Sequence, residues 1–114
     1  MENCLFCKII KGEIPSAKVY EDDKLYAFKD INPLAPVHIL IVPKKHIDSI
    51  HQIAEGDIDL IGYLNFKISE IADLLGVSED GYRIVSNIGN NGGQVVHHIH
   101  YHLLGGRQMG SKLG

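Results

Sequence analysis

The 114-residue chain is short enough for a single domain over residues 1–114 and long enough to bury a core without disulfide staples. A formal net charge of −3 with no basic run excludes the electrostatic footprint of a polynucleotide binder, and no apolar stretch approaches the roughly 20 residues that cross a bilayer. The opening Met1-Glu2-Asn3-Cys4 lacks the basic and apolar regions of a secretory signal, which implies a cytoplasmic protein with no membrane partner.

Residues 4–11 predict a short helix stopped by Gly12 and Pro15. The β-prone runs 17–22 and 25–30 flank Asp23 and predict a hairpin. Asn32, Pro33 and Pro36 make Asp30 to Pro36 a loop. Residues 38–43 read as an apolar strand ended by Pro43, and Asp48 as the cap of a short helix over 49–54. After Gly56, Ile61, Leu64, Ile68, Ile71 and Leu75 step by three and four, which predicts one long amphipathic helix closed by Gly76. Residues 82–88 alternate like a strand, a glycine loop runs from Gly89 to Gly93, and 95–104 reads as the last strand. This order predicts an α+β fold: a five-stranded antiparallel sheet with one long and one or two short helices.

Seven histidines stand in the chain, four of them within 97–102. On a strand, His98, His100 and His102 share one face, with neighbours about 6.5 Å apart, while Ile99, Tyr101 and Leu103 face the core. His97 falls on the opposite face from those three and reads as structural. Three readings stand open for the three imidazoles: a solvated polar face, a metal site built by the strand histidines, or a nucleophile with a proton-donating partner. Gly89, Gly92 and Gly93 just upstream leave backbone N–H groups able to approach a phosphate. The absence of an Asp/Glu cluster suited to magnesium favours a phosphoryl centre that needs no cofactor for catalysis.

The run Gly92 to Arg107 resembles the signature of the histidine-triad (HIT) family, His-φ-His-φ-His-φ-φ with φ apolar, which His98 to Leu104 fit. Phe6–Ile10, Gly12-Glu13-Ile14-Pro15, Phe28–Pro36 and His38–His46 match in the same order, and Gly105-Gly106-Arg107-Gln108-Met109 resembles the Hint branch. The resemblance implies a purine nucleoside phosphoramidase. His100 would attack phosphorus to form a nucleotidyl-histidine, His102 would contact the phosphate, and His98 and His38 would orient the central ring. It also implies Asp30 and Ile31 at the ribose, Phe6 and Ile9 around the base, and Asn87, Gly93, Gln94 and Val95 near the phosphate of AMP or another purine nucleotide. Val95 departs from relatives that carry a hydroxyl or acidic residue there, and it has no proton to give a leaving amine.

Cys4-x-x-Cys7 reads as a redox dithiol, two unlinked buried thiols, or half of a structural zinc site. The resemblance to certain bacterial relatives adds His46 and His98 as the remaining zinc ligands. A helix stripe that covers one sheet face, with sheet edges left open, predicts a homodimer, as the resemblance does. Two other functions stay in view: a metal-dependent hydrolase using the strand histidines, and a nucleotide-binding regulator with weak turnover.

Overall fold

A computed structural model describes residues 3–113. Met1 and Glu2, on which the reading of the N-terminus partly rests, and Gly114, the end of the expected domain, lie outside them. Helix α1 (Leu5–Ile10) is followed by β1 (Lys18–Glu21), β2 (Leu25–Lys29), β3 (Val37–Pro43), α2 (Ile58–Leu74), β4 (Tyr82–Val85) and β5 (Tyr101–Gly105). The strands form one antiparallel sheet in the order β1-β2-β3-β5-β4. Both the α+β class and the five strands agree with the sequence reading. Among the described residues, no helix is long and apolar enough to cross a membrane.

The β1–β2 hairpin is held by Asp22, whose carboxylate accepts the N–H groups of Lys24 and Leu25 and the hydroxyls of Tyr20 and Tyr63. Burial alone would raise that carboxyl, but the four donors more than offset it and hold the pKa at about 2. Tyr63 lies on α2, so the same carboxylate ties the hairpin to the long helix.

Strand β2 is buried at four successive positions because both faces of the sheet are covered. Leu25 and Ala27 join Ile39, Ile41, Ile99, Tyr101 and Leu103 against Leu64, Ile68 and Ile71 of α2. Tyr26, Phe28, Leu40 and Val42 face the other way, onto Phe6 and Ile9 of α1. The expected stripe on α2 is thus the one buried, and Gly76 follows it in the left-handed region at φ 72°. Each fully buried aliphatic side chain of this core contributes roughly 1.5–3 kcal/mol of transfer free energy.

The main correction concerns 95–104, which is a strand only from Tyr101 onward. The His98 carbonyl accepts from the His100 ring, Ile99 N–H donates to the Ile47 carbonyl, and the His100 carbonyl accepts from Ser86 Oγ. Backbone groups engaged in this way cannot join the ladder, so pairing with β3 begins at Tyr101 opposite Ile41. Only His102 of the three histidines is on a strand, and the expected even spacing along one face does not hold. His97 is exposed, so its structural assignment fails with the face argument on which it rested. Strand β4 likewise stops at Val85, short of 88, because the Ser86 and Asn87 side chains turn to neighbouring carbonyls. The expected helix over 49–54 shrinks to a single tight turn, Ile50–Gln52, capped by Ser49. Asp48, expected as that cap, instead binds His46.

Candidate active site and metal centre

A cavity of about 550 Å³ opens between α1, the loop after β2, and the segment leading into β5. That volume suits a small ligand. Phe6, Ile9, Asp30, Ile31, Asn87, Gly93, Val95, His100 and His102 line it, so most of the residues singled out from sequence converge on one space. Phe28, Leu40 and Val96 also line it, and sequence reasoning missed them. For Phe28 and Leu40 the signal was the uninterrupted apolar runs of β2 and β3, which require a covered face on each side of the sheet; Val96 gave none. A larger cleft of about 740 Å³ lies over the Cys4 edge and contains none of His38, His100 and His102, so the smaller cavity is the candidate site.

Hydrogen-bond partners place the imidazole protons. A carbonyl only accepts, so His100 donates Nδ1–H to the His98 carbonyl at 2.7 Å, and its Nε2 keeps the lone pair. Phe6 packs edge-on against this ring at 5.0 Å between centroids. Burial lowers the pKa of His100, so the ring stays neutral, with a lone pair to offer, at neutral pH.

His102 pairs with Leu40 across β3 and β5, and its ring centroid lies 5.1 Å from that of His100. The backbone N–H of Leu34 donates to His38 Nδ1 at 3.1 Å. The proton of neutral His38 therefore sits on Nε2, 2.9 Å from His102 Nδ1, which accepts it. The proton of His102 is then on Nε2, its free nitrogen. Burial, with the neighbouring His100 and His38, pushes the pKa of His102 down to about 4. His38 itself is buried and takes part through His102. Asp30 completes the cluster, with one carboxylate oxygen 3.5 Å from His38 Nε2 and the other accepting Asn32 N–H.

Two expected contributors are turned away from the cavity. Gln94 is buried, with its amide donating to the Asp48 and Val96 carbonyls while its Oε1 accepts Gly89 N–H. The N–H of Gly93 is spent on the Asn90 carbonyl. The glycine loop therefore does not offer the N–H groups of Gly89 and Gly93 to a phosphate, as its composition suggested. What it needs glycine for is closure: a Cβ at position 92 would stand 2.2 Å from the Ile88 carbonyl oxygen.

His98 is the other, with a fully buried ring that faces the cysteines. It donates Nε2–H to the Pro43 carbonyl at 2.8 Å, which leaves Nδ1 bare at 3.3 Å from Cys4 Sγ and 3.6 Å from Cys7 Sγ. His46 repeats the pattern, with Nε2 on Asp48 and Nδ1 3.5 Å from Cys7 Sγ. All four ligand atoms lie within 4.8 Å of one another. A tetrahedral zinc ion with ordinary Zn–S and Zn–N bonds needs sulfur–nitrogen edges of about 3.5 Å. The donor set fits: two thiols, two inward lone pairs, and an oxygen acceptor behind each imidazole. Burial raises the Cys7 thiol, so a thiolate here needs a cation beside it. Asp30, His38 and His102 also cluster closely enough to suggest a metal site, but there the inner nitrogen of His38 already carries its proton. That cluster is built to hold a hydrogen bond.

Comparison with known proteins agrees with this fold. A solved HIT family hydrolase from Clostridium thermocellum is 50% identical, covering 99% of this chain and 98% of its own, with a TM-score of 0.95. The purine nucleoside phosphoramidase of Escherichia coli K12 is 46% identical over 112 residues, 98% of this chain and 94% of that protein. A 14 kDa zinc-binding protein of Zea mays is 53% identical over 107 residues, 92% of this chain and 83% of that protein. The HIT domain family model matches residues 11–109, and with the imidazole geometry above it, the chain belongs to the HIT family.

Proposed function

We propose that this protein hydrolyses the bond between a purine nucleoside monophosphate and an amine, through a nucleotidyl intermediate on His100. The observation that carries this reading is the bond from His100 Nδ1–H to the His98 carbonyl, which commits the Nε2 lone pair of a neutral ring to the cavity. That lone pair attacks the α-phosphorus, the phosphorus–nitrogen bond to the leaving group breaks, and the amine departs with a proton. Water then attacks the same phosphorus and gives up a proton to solvent, the bond to Nε2 breaks, and the nucleoside monophosphate leaves. His102 Nε2–H donates to a phosphate oxygen, Asp30 accepts from ribose hydroxyls, and Phe6, Ile9, Phe28 and Leu40 surround the base. Val95, 87% exposed at the rim, has no proton to give, so the amine takes its own from solvent.

Zinc is the proposed partner of Cys4, Cys7, His46 and His98, by the fit of the donor set. When bound it supplies charge for two thiolates and ties α1 to the segment that carries His100. His98 thereby serves catalysis through its carbonyl, while its ring serves the metal. Intact-mass spectrometry of the protein mixed with an adenosine phosphoramidate tests the reading. A nucleotidyl adduct on the peptide containing His100 is expected. Neither adduct nor turnover would leave the nucleotide-binding regulator in its place. A hydrolase with a catalytic metal on His98, His100 and His102 has little support, because their Nδ1 atoms face the thiols, the His98 carbonyl and His38 respectively.

A homodimer completes the proposal. Helix α2 leaves Ile58, Phe66 and Leu74 exposed, Phe66 by 72%, and β4 is an open sheet edge. Light scattering at micromolar concentration is expected to give twice the chain mass. A value near 12.6 kDa would overturn this.

A further inference from the structure

The motif Gly105-Gly106-Arg107, singled out in the sequence, plays no part in the reaction described above. Its position in the fold gives it one. Strand β5 ends at Gly105 opposite Val37, and the chain then crosses the loop between β2 and β3. Gly106 takes φ 87°, and a Cβ there would stand 3.0 Å from Pro36 Cβ, so only glycine lets the chain pass this close. The crossing delivers the Arg107 guanidinium to the Leu34 carbonyl, which accepts from Nη2 at 3.1 Å.

Leu34 is held by its backbone. Its side chain is 70% exposed, and that of Ile31 in the same loop is 91% exposed, so neither large apolar group anchors the segment. Both polar groups of the Leu34 backbone are engaged: the carbonyl accepts from Arg107, and the N–H donates to His38 Nδ1. From there the order of protons is determined. An N–H on His38 Nδ1 puts the His38 proton on Nε2, that proton occupies His102 Nδ1, and the proton of His102 must sit on its free Nε2.

We infer that Arg107 is a positioning residue for the reaction, fixing the tautomers of His38 and His102 through the backbone of Leu34. The rate effect rests on the proposed hydrolysis, whereas the tautomer effect does not. Without the guanidinium the loop drifts, the bond from Leu34 N–H to His38 weakens, and both imidazoles gain access to their second neutral tautomer. In that tautomer His102 turns a lone pair where a phosphate oxygen needs a donor.

The test compares Arg107→Met, which keeps the length of the side chain and removes its donors, with Arg107→Lys, which restores one donor. Arg107 is exposed, so neither change touches the core. Long-range proton–nitrogen NMR correlations of the ligand-free protein at mildly alkaline pH report the tautomer of each histidine. The parent protein is expected to show protonated Nε2 and bare Nδ1 at His38 and His102. The Met variant is expected to show mixed tautomers at both, with His98 and His100 unchanged, and the Lys variant to recover most of the parent pattern. With an adenosine phosphoramidate, kcat of the Met variant should fall about tenfold, equivalent to about 1.4 kcal/mol, while KM moves less than about twofold. Parent tautomers in the Met variant would overturn the inference, whatever the rate did. Mixed tautomers in a protein that never hydrolyses the substrate would uphold the positioning role and count against the proposed function alone.

Discussion

Replacing His100 with alanine is expected to lower phosphoramidate hydrolysis by at least about a thousandfold, since the loss removes a nucleophile and the covalent path with it. The fold should persist. His100 precedes β5, and its ring contacts Phe6 and His102 outside the helix-facing core formed by Ile39, Ile41, Leu64 and Ile71. The one structural bond lost is that to the His98 carbonyl. Nucleotide affinity should change little, because the proposed base and ribose contacts come from Phe6, Ile9 and Asp30. Steady-state kinetics together with calorimetric titration of a nucleoside monophosphate separate these effects. Comparable turnover in the alanine variant would mean that another group attacks phosphorus. Loss of binding in step with loss of rate would mean that the substitution collapses the cavity.

The second large effect is expected at the cysteines. Protein purified without added metal should carry about one zinc per chain, bound by two thiolates and two imidazoles. Replacing Cys4 and Cys7 together by serine should release it and lower the thermal midpoint by on the order of 10 °C, because binding to the folded state alone contributes directly to stability. Helix α1 is the segment most exposed to this loss. It has six residues, too few to persist alone, and Cys4 Sγ also caps it by accepting Cys7 N–H. Hydrolysis at a temperature where the variant is folded should fall only in part, since His100 and His102 are not among the proposed ligands. Elemental analysis without stoichiometric zinc would reject the site. Complete loss of turnover, restored in proportion to added metal, would instead support a catalytic metal.

The long helix and the strands along the chain were legible because their signal is a period. Leu64, Ile68 and Ile71 lie where steps of three and four require, and Gly76 ends the pattern as glycine does at a helix terminus. Most of the candidate site was legible from the resemblance, which named Asp30, His100 and His102 on the cavity wall. The same regularity misled at 95–104. Alternating His-Ile-His-Tyr-His has the period of a strand, yet side-chain and loop partners take the backbone groups of residues 98–100. Two kinds of feature left no trace in residue identity. One was backbone chemistry: the carbonyls of His98 and Pro43 and the N–H of Leu34 set the tautomers of His100, His98 and His38, and through His38 that of His102. The other was the inward turn of Gln94, whose side chain braces the glycine loop from behind.

The bond from Leu34 N–H to His38 has a consequence for a protein with two imidazole clusters, only one of which contains thiols. An ion arriving between His38 and His102 must take the place of the one proton of neutral His38 on Nε2, and the neutral ring can then keep that proton only on the nitrogen facing Leu34, where two N–H groups would oppose one another. An ion arriving at Cys4 and Cys7 displaces thiol protons and gains two charged sulfur ligands, with His46 and His98 already presenting lone pairs. A single main-chain amide thus sets the proton order that turns a thiophilic ion away from the His38–His102 pair and toward the two cysteines.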